Sequence, residues 1–253
     1  MIYVPEVVGR IIDAMRETGI YTSWTNVANL YTIEAENELL EKEWVVLLDP
    51  PGFPFTFPII FTDDLPETIA ADATAFGMFQ AVNVTSTSFD VISATDPPTS
   101  GGFKSVEPFY MFGHRRELSN RLLQKDRDEI YKFQKYPLFA LRLPIPETIT
   151  FDYIHDVELN IAILAFTQKN YRAQERYENI IHPVLMPLYF DFLEKIQDSN
   201  EIMGVGRPEH TKIDRLFYGI SELEANEAYI FNDPLDGVEL IDLNLKIIDN
   251  NNC

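Results

Sequence analysis

Cysteine, glycine and long apolar runs are all scarce in this sequence. Its one cysteine is Cys253, which excludes a disulfide within the chain and a cysteine-based metal site. Eleven glycines stand against 16 prolines and 18 phenylalanines, a composition typical of a rigid α+β protein. No apolar run reaches about 18 residues, and the first residues lack a basic region before an apolar stretch. We therefore expect no membrane span, no signal peptide, and an intracellular or virion setting.

Positive charge is also in short supply, since 20 Lys and Arg residues face 40 Asp and Glu residues and the net charge is −20. This balance argues against specific nucleic-acid binding, because phosphate affinity comes mainly from Lys and Arg. Residues 1–104 hold 4 basic and 15 acidic groups, and residues 220–253 hold 1 and 8. Such a distribution indicates either an ordinary solvated surface or a face that lets a polyanion pass without binding.

The beginning of the chain predicts a helix. Pro5 and Glu6 are typical of a first turn, and Gly19 is a natural stop. The apolar stripe between them recurs at helical spacing and consists of Val8, Ile11, Ile12 and Met15.

After this helix the pattern changes to short strands. Tyr31 and Ile33 alternate with polar neighbours, and residues 44–48 are continuously apolar. A run of breaker residues over 95–102 ends this part. We therefore predict an inserted small all-β module, a barrel or a hairpin, over residues 29–102.

Residues 1–28 and 103–253 are predicted to form one α+β domain. Its central sheet is mostly antiparallel and is flanked by two or three helices. A strand, a helix and a second strand, "YPLFALRLPIP", come first, and "HDVELNIAILAF" is predicted to lie antiparallel to that second strand. A long helix follows, with a kink or a late start near Pro183. Near the end, Asp236-Gly237 is a turn signal and a phase slip at Ile241 suggests a β-bulge.

The segment between the last of these strands and the long helix is basic and aromatic. Loops present Tyr and Arg at protein interfaces, where both residue types are enriched. An acidic copy of the same chain is an electrostatically complementary partner. We predict a subunit interface formed by Lys169, Tyr171, Arg172, Arg176 and Tyr177.

No motif in the sequence predicts a catalytic, cofactor-binding or metal-binding residue. The four histidines stand far apart, and acid pairs such as Asp63-Asp64 and Glu222 with Glu224 are expected by chance in so acidic a chain. The chain is therefore predicted not to be an enzyme and to need no cofactor. Two alternatives stay open: a soluble hydrolase or nucleotide-handling enzyme that uses scattered carboxylates and His155, and a cytosolic adaptor that binds another protein through the β module.

The order of "KYPLFALRLPIPE", "DYIHDVELNIAILAF", "TKIDRLFYG" and "NDPLDGVELIDLNLKI" resembles the tail-terminator, or tail-completion, proteins of tailed bacteriophages. The resemblance covers roughly residues 1–25 and 105–250. Residues 29–94 are similar to a small β module of phage structural proteins, whose last strand is matched by Thr87, Ser88, Phe89 and Val91.

This resemblance implies a structural virion protein, assembled in the host cytoplasm, that forms a homo-oligomeric ring at the phage neck or upper tail. Sixfold or twelvefold symmetry is expected. The ring would join the head and portal side to the tail, contact the adjacent neck, portal or tail proteins, and let DNA pass through an acidic channel without a specific nucleic-acid site. No membrane is involved.

Overall fold

The computed structural model describes residues 3–39, 43–48, 75–93, 96–97, 99–126, 135–151, 154–204, 206–218 and 233–248. The chain divides into two compact units, which are Arg16–Glu107 (here the barrel unit) and Met1–Met15 with Pro108–Cys253 (the sheet unit). The barrel unit begins 13 residues before the predicted boundary at residue 29, because two strands precede that residue.

The barrel unit consists of two four-stranded antiparallel sheets that share chain segments. Its strands are β1 Thr18–Tyr21, β2 Ser23–Val27, β3 Leu30–Glu34, β4 Trp44–Leu48, β5 Ala75–Gln80, β6 Val82–Thr85, β7 Ser88–Ile92 and β8 Gly101–Ser105. The sheet orders are β1-β8-β4-β5 and β2-β3-β7-β6. β1 runs on into β2 and β5 into β6, so the two sheets are connected at both edges and enclose one apolar core.

The alternation predicted for the barrel strands is confirmed by burial. Tyr31 and Ile33 on β3 face the core, where Phe89 and Phe103 pack edge to face with ring centroids 5.1 Å apart.

The prediction that Gly19 ends the first helix is wrong, because the helix ends before it and Gly19 lies in β1. A Cβ at that position would meet the Phe103 ring, so the close approach of the ring requires glycine.

The sheet unit has the predicted α+β architecture. Its helices are α1 Val4–Asp13, α2 Arg115–Asp126, α3 Ala173–Arg176 and, after a π-helical stretch Tyr177–Leu185, α4 Met186–Asp198. Its strands are β9 Phe109–Gly113, β10 Leu138–Arg142, β11 Glu147–Phe151, β12 Ile154–Phe166, β13 Ile202–Met203, β14 Thr211–Tyr218 and β15 Leu235–Ile248. The sheet order is β13-β15-β12-β10-β9, with β11 beside β12 and β14 beside β15, and only the β9–β10 pair among these strands is parallel.

Helices cover both faces of this sheet. Adjacent strand residues point to opposite faces, and Tyr110 donates its hydroxyl to the carbonyl of Pro5 on α1 at 2.9 Å, whereas Lys125 on α2 lies over the ring of Phe109. Phe192 on α4 packs against Phe139 of β10, with ring centroids 5.1 Å apart. Since Phe139 pairs with Tyr110, α1 and α4 share one face and α2 lies on the other.

The long helix departs from α geometry around Pro183, as its sequence predicts, although it does not start late. The π-helical stretch contains Pro183 and absorbs the break that this residue makes in the α ladder. As a result the buried face after the stretch passes through Tyr189 and Leu193, while Leu188 is only half-buried.

The C-terminal strand confirms one prediction and contradicts another. Between the pairs Leu159↔Leu243 and Ile161↔Leu240, two residues of β15 oppose one of β12, which is the predicted β-bulge at Ile241. The predicted turn at Asp236-Gly237 is wrong, because both residues lie within β15. A Cβ on Gly237 would lie 2.8 Å from Leu164 Cδ2, so close packing, and not a turn, accounts for this glycine.

Candidate functional site

Arg176, one of the predicted interface residues, is fully buried in the sheet unit. Its guanidinium donates to Asp236 Oδ1 at 2.7 Å, to the carbonyl of Tyr171 at 3.0 Å and to the carbonyl of Gln168 at 3.0 Å. Its Cζ also lies 3.7 Å from the centroid of the Phe217 ring. The prediction that Arg176 contacts another subunit is therefore wrong, since its donors already bind this chain.

The backbone around Phe217 explains how this sealed pair, Arg176 with Asp236, is held. The pairing of β14 with β15 shifts register between Arg215 and Tyr218, and Phe217 has a φ of +55°. Asp236 Oδ1 accepts the Phe217 N–H at 2.9 Å and so fixes this rare conformation. One buried carboxylate thus joins the basic loop, β14 and β15.

With Arg176 buried, the surface of the loop is not basic. Lys169 and Arg172 are exposed, but the exposed Glu175 and Glu178 follow them, and Glu175 accepts the Arg172 N–H at 2.7 Å. Charges of the two signs therefore balance on this surface. Interface roles for Lys169, Tyr171, Arg172 and Tyr177 stay predictions; Tyr171 and Tyr177 are half-buried.

A second arginine site, on the other face of the sheet, is missing from the sequence-based prediction. We call it the open arginine cluster, and it consists of Arg115, Arg142, Arg215, Tyr218 and Glu239. One Arg142 nitrogen donates to both the Tyr218 hydroxyl and Glu239, and Arg215 Nε donates to the other Glu239 oxygen at 2.6 Å. Arg115 and Arg142 lie 5.9 and 5.6 Å from the centroid of the Tyr218 ring.

The cluster holds more positive charge than its own carboxylate neutralises. Two guanidinium groups bind one buried carboxylate, and a third, that of Arg115, lies over the neighbouring Tyr218 ring. Arg115 makes no ion pair with any residue that the structure describes. The side chain of Arg215 is 53% exposed and that of Arg142 is 27% exposed. In a chain whose net charge is −20, this excess forms a local positive site that solvent reaches.

Ionisation within the cluster follows from its contacts. Burial opposes ionisation of Glu239, but the hydrogen bonds and charges of Arg215 and Arg142 outweigh it and lower the pKa of Glu239. Burial raises the pKa of Tyr218, so its hydroxyl stays protonated at neutral pH. The cluster therefore keeps its excess positive charge across the neutral range.

Small residues make room for the cluster. Ala140, Ala162 and Glu239 form one row across β10, β12 and β15, and the Tyr218 ring lies beside Gly237. One sequence signal was available: Glu239 stands alone between Val238 and Leu240 in an apolar stretch, and a buried acid requires a cationic partner.

His155, the histidine of the enzyme alternative, is buried on β12, and its Nδ1 contacts Glu147. Within the described ranges, no group of three or more His, Cys, Asp and Glu side chains is arranged to hold a metal ion. Asp63-Asp64 and Glu222 with Glu224 lie outside the described residues. The enzyme alternative stays a prediction.

Across the part of the chain that the structure describes, no helix is both long and apolar enough to cross a membrane.

Comparison with protein-family models, with curated proteins and with solved structures finds no match to this chain. The geometry therefore stands by itself: a sealed arginine pair holds the fold together, and an open arginine cluster faces solvent.

Proposed function

We propose that this protein is a structural, non-enzymatic subunit of the virion of a tailed bacteriophage, and that copies assemble head to tail into a ring at the neck or upper tail. The observation that carries the proposal is the open arginine cluster, because it is a positive site in a chain that is otherwise strongly acidic. A head-to-tail ring needs two different, complementary patches on each subunit. Excess positive charge on one patch and excess acid elsewhere meet that requirement.

The overall charge agrees with a ring through which DNA passes. A net charge of −20 repels phosphate, so DNA would cross an acidic channel without being held there. The partners implied are other copies of the chain and the neighbouring neck, portal or tail proteins. The ring would form in the host cytoplasm and remain in the virion.

Mass photometry of the purified protein over a concentration series, followed by negative-stain imaging, tests this function. Closed rings of sixfold or twelvefold symmetry are expected. A protein that stays monomeric at every concentration, and also when mixed with isolated neck and portal complexes, would overturn the proposal.

A further inference from the structure

We propose that the open arginine cluster of one copy binds Glu34, Glu36 and Glu38 of the next copy. The contact would join the sheet unit of one subunit to the barrel unit of its neighbour, and it rests on the ring function proposed above. It replaces the basic loop as the electropositive side of the contact, because Arg176 of that loop is buried.

The three glutamates form an acidic strip on the barrel unit. Glu34 is the last residue of β3, and Glu36 and Glu38 follow it in an extended segment. Ala35, Asn37 and Leu39 are buried, so the glutamates alternate outward and are exposed. The backbone of the segment is fixed, since Ala35 N donates to the Thr87 carbonyl at 3.0 Å and Asn37 N to the Ser86 carbonyl at 3.1 Å. The backbone of the strip is thus held in one conformation before any partner binds.

The segment is also held by the side chain of Asn37. Its amide nitrogen donates to the carbonyls of Ala35 at 2.9 Å and Thr85 at 3.0 Å, and its oxygen accepts the Leu39 N–H at 3.3 Å. A preorganised strip loses little conformational freedom on binding, which favours its use as a contact surface.

No residue that the structure describes neutralises the charge on the strip. None of the three glutamates forms an ion pair with a residue that the structure describes. Three like charges on one short segment repel one another, and a cationic partner would relieve this repulsion.

The two patches match in reach. An extended chain advances about 3.3 Å per residue, so Glu34 and Glu38 stand roughly 13 Å apart. Arg115 and Arg142 lie 5.9 and 5.6 Å from the centroid of one tyrosine ring, and Arg142 and Arg215 share one carboxylate, which places the three guanidinium groups within a comparable span. Guanidinium forks with free N–H groups bind carboxylates in bidentate geometry.

A phosphate-bearing polymer would offer similar chemistry, but the chain disfavours it. Its net charge of −20 repels a polyanion at long range, whereas a short acidic strip on a second copy can approach the cluster locally. Nucleic acid is therefore an outcome that the test must detect and not the expected ligand.

Charge exchange between copies tests the contact. Arg115→Glu should raise the protein concentration needed for half-maximal ring formation by roughly tenfold or more, because a like-charge contact replaces an attractive one. Changing Glu34, Glu36 and Glu38 to Lys should weaken assembly similarly, and combining the two sets should restore much of it. Arg116→Glu makes the same charge change at the next residue of α2 and should have little effect.

A cross-linking measurement complements the exchange. In a Cys253→Ser background, Arg115→Cys combined with Glu36→Cys should give a disulfide-linked ladder of oligomers under mild oxidation, whereas Arg116→Cys with Glu36→Cys should not. Circular dichroism and thermal melts check that each variant is folded.

The outcomes separate the contact from the function. Wild-type rings that persist in the Arg115→Glu variant, with no exchange effect and no ladder, would overturn the contact and leave the ring function standing. A wild-type chain that never assembles, alone or mixed with isolated neck and portal complexes, would overturn both. Loss of duplex-DNA binding on Arg115→Glu, with assembly unchanged, would assign the cluster to nucleic acid and overturn the proposed contact.

Discussion

Two arginine–carboxylate sites use the same strand, β15, for opposite purposes. Asp236 and Glu239 are three residues apart and therefore point to opposite faces of the sheet. Asp236 meets one arginine that is fully buried, and both side chains of that ion pair are 0% exposed. Glu239 meets two arginines that remain partly in solvent, with a third over the neighbouring tyrosine ring.

The comparison teaches which arginines are free to act on a partner. In the sealed pair, the hydrogen bonds of Arg176 run to its own chain, so the residue fixes the loop in place. In the open cluster, positive charge exceeds negative charge and solvent reaches it. The position of an arginine in a basic segment is thus a poor predictor of its availability to a partner. The balance of positive and negative charge around it in the folded chain is a better one.

Breaking the sealed pair should have the largest effect. Arg176→Met leaves Asp236 buried without its cation, which typically lowers the free energy of unfolding by about 3–5 kcal/mol. Urea denaturation followed by circular dichroism measures the change. Arg172→Met, in the same loop but exposed, is the control and should change stability by less than about 0.5 kcal/mol. A loss below about 1 kcal/mol for Arg176→Met would contradict the structural role.

Glu107 of the barrel unit is a contrasting case, because no arginine that the structure describes contacts its carboxyl group. Burial and then the nearby charge of Glu43 raise the pKa of Glu107 to about 8, although the Trp44 N–H opposes them. A raised carboxyl pKa makes the folded state bind the proton more tightly than the unfolded state. Stability should therefore fall as the pH rises from about 4.5 to about 8.

Glu107→Gln should remove this pH dependence and stabilise the protein at pH 9 by on the order of 2 kcal/mol, since each unit of pKa shift corresponds to about 1.4 kcal/mol and partial solvation reduces the full effect. Thermal melts of both proteins between pH 4 and pH 9 measure it. Melting temperatures that change with pH by the same amount in both proteins would contradict this prediction. Glu209→Gln, at an exposed position, serves as the control.

Glu239→Gln should have a smaller effect of the opposite sign. Water partly solvates the cluster arginines that lose their counter-charge, so the expected cost at pH 7 is about 1 kcal/mol. Because the pKa of Glu239 is lowered in the folded protein, its contribution is present above the unfolded value near 4.5 and disappears as the pH falls through the folded value. The variant should lack this loss on acidification, and urea titrations at pH 7 and pH 3 would show whether it does.

Local pattern predicted much of the fold. Alternation identified β3 and β12, apolar runs identified β4 and β10, and the phase slip identified the bulge in β15. Two signals failed because a distant contact outweighed local propensity. Asp236-Gly237 has turn chemistry, yet Asp236 is committed to an arginine 60 residues away, and Gly19 accommodates a ring from β8.

The open arginine cluster was beyond prediction from local sequence. Its residues come from α2, β10, β14 and β15, which are separated by long stretches of chain and meet only through the sheet register. The prediction for Arg176 failed in the opposite direction, because the sequence placed it at an interface and the fold buries it. Nothing in "QKNYRAQER" distinguishes the one arginine that turns inward. Burial of a charge depends on the partner that the fold supplies.

The most direct test compares the mass distributions of the wild-type protein, Arg115→Glu and Arg116→Glu over one concentration series by mass photometry. Closed rings are predicted for the wild type and for Arg116→Glu at the same concentrations, with Arg115→Glu still monomeric where they assemble. Identical ring populations for all three proteins would contradict the assignment of the open cluster to assembly.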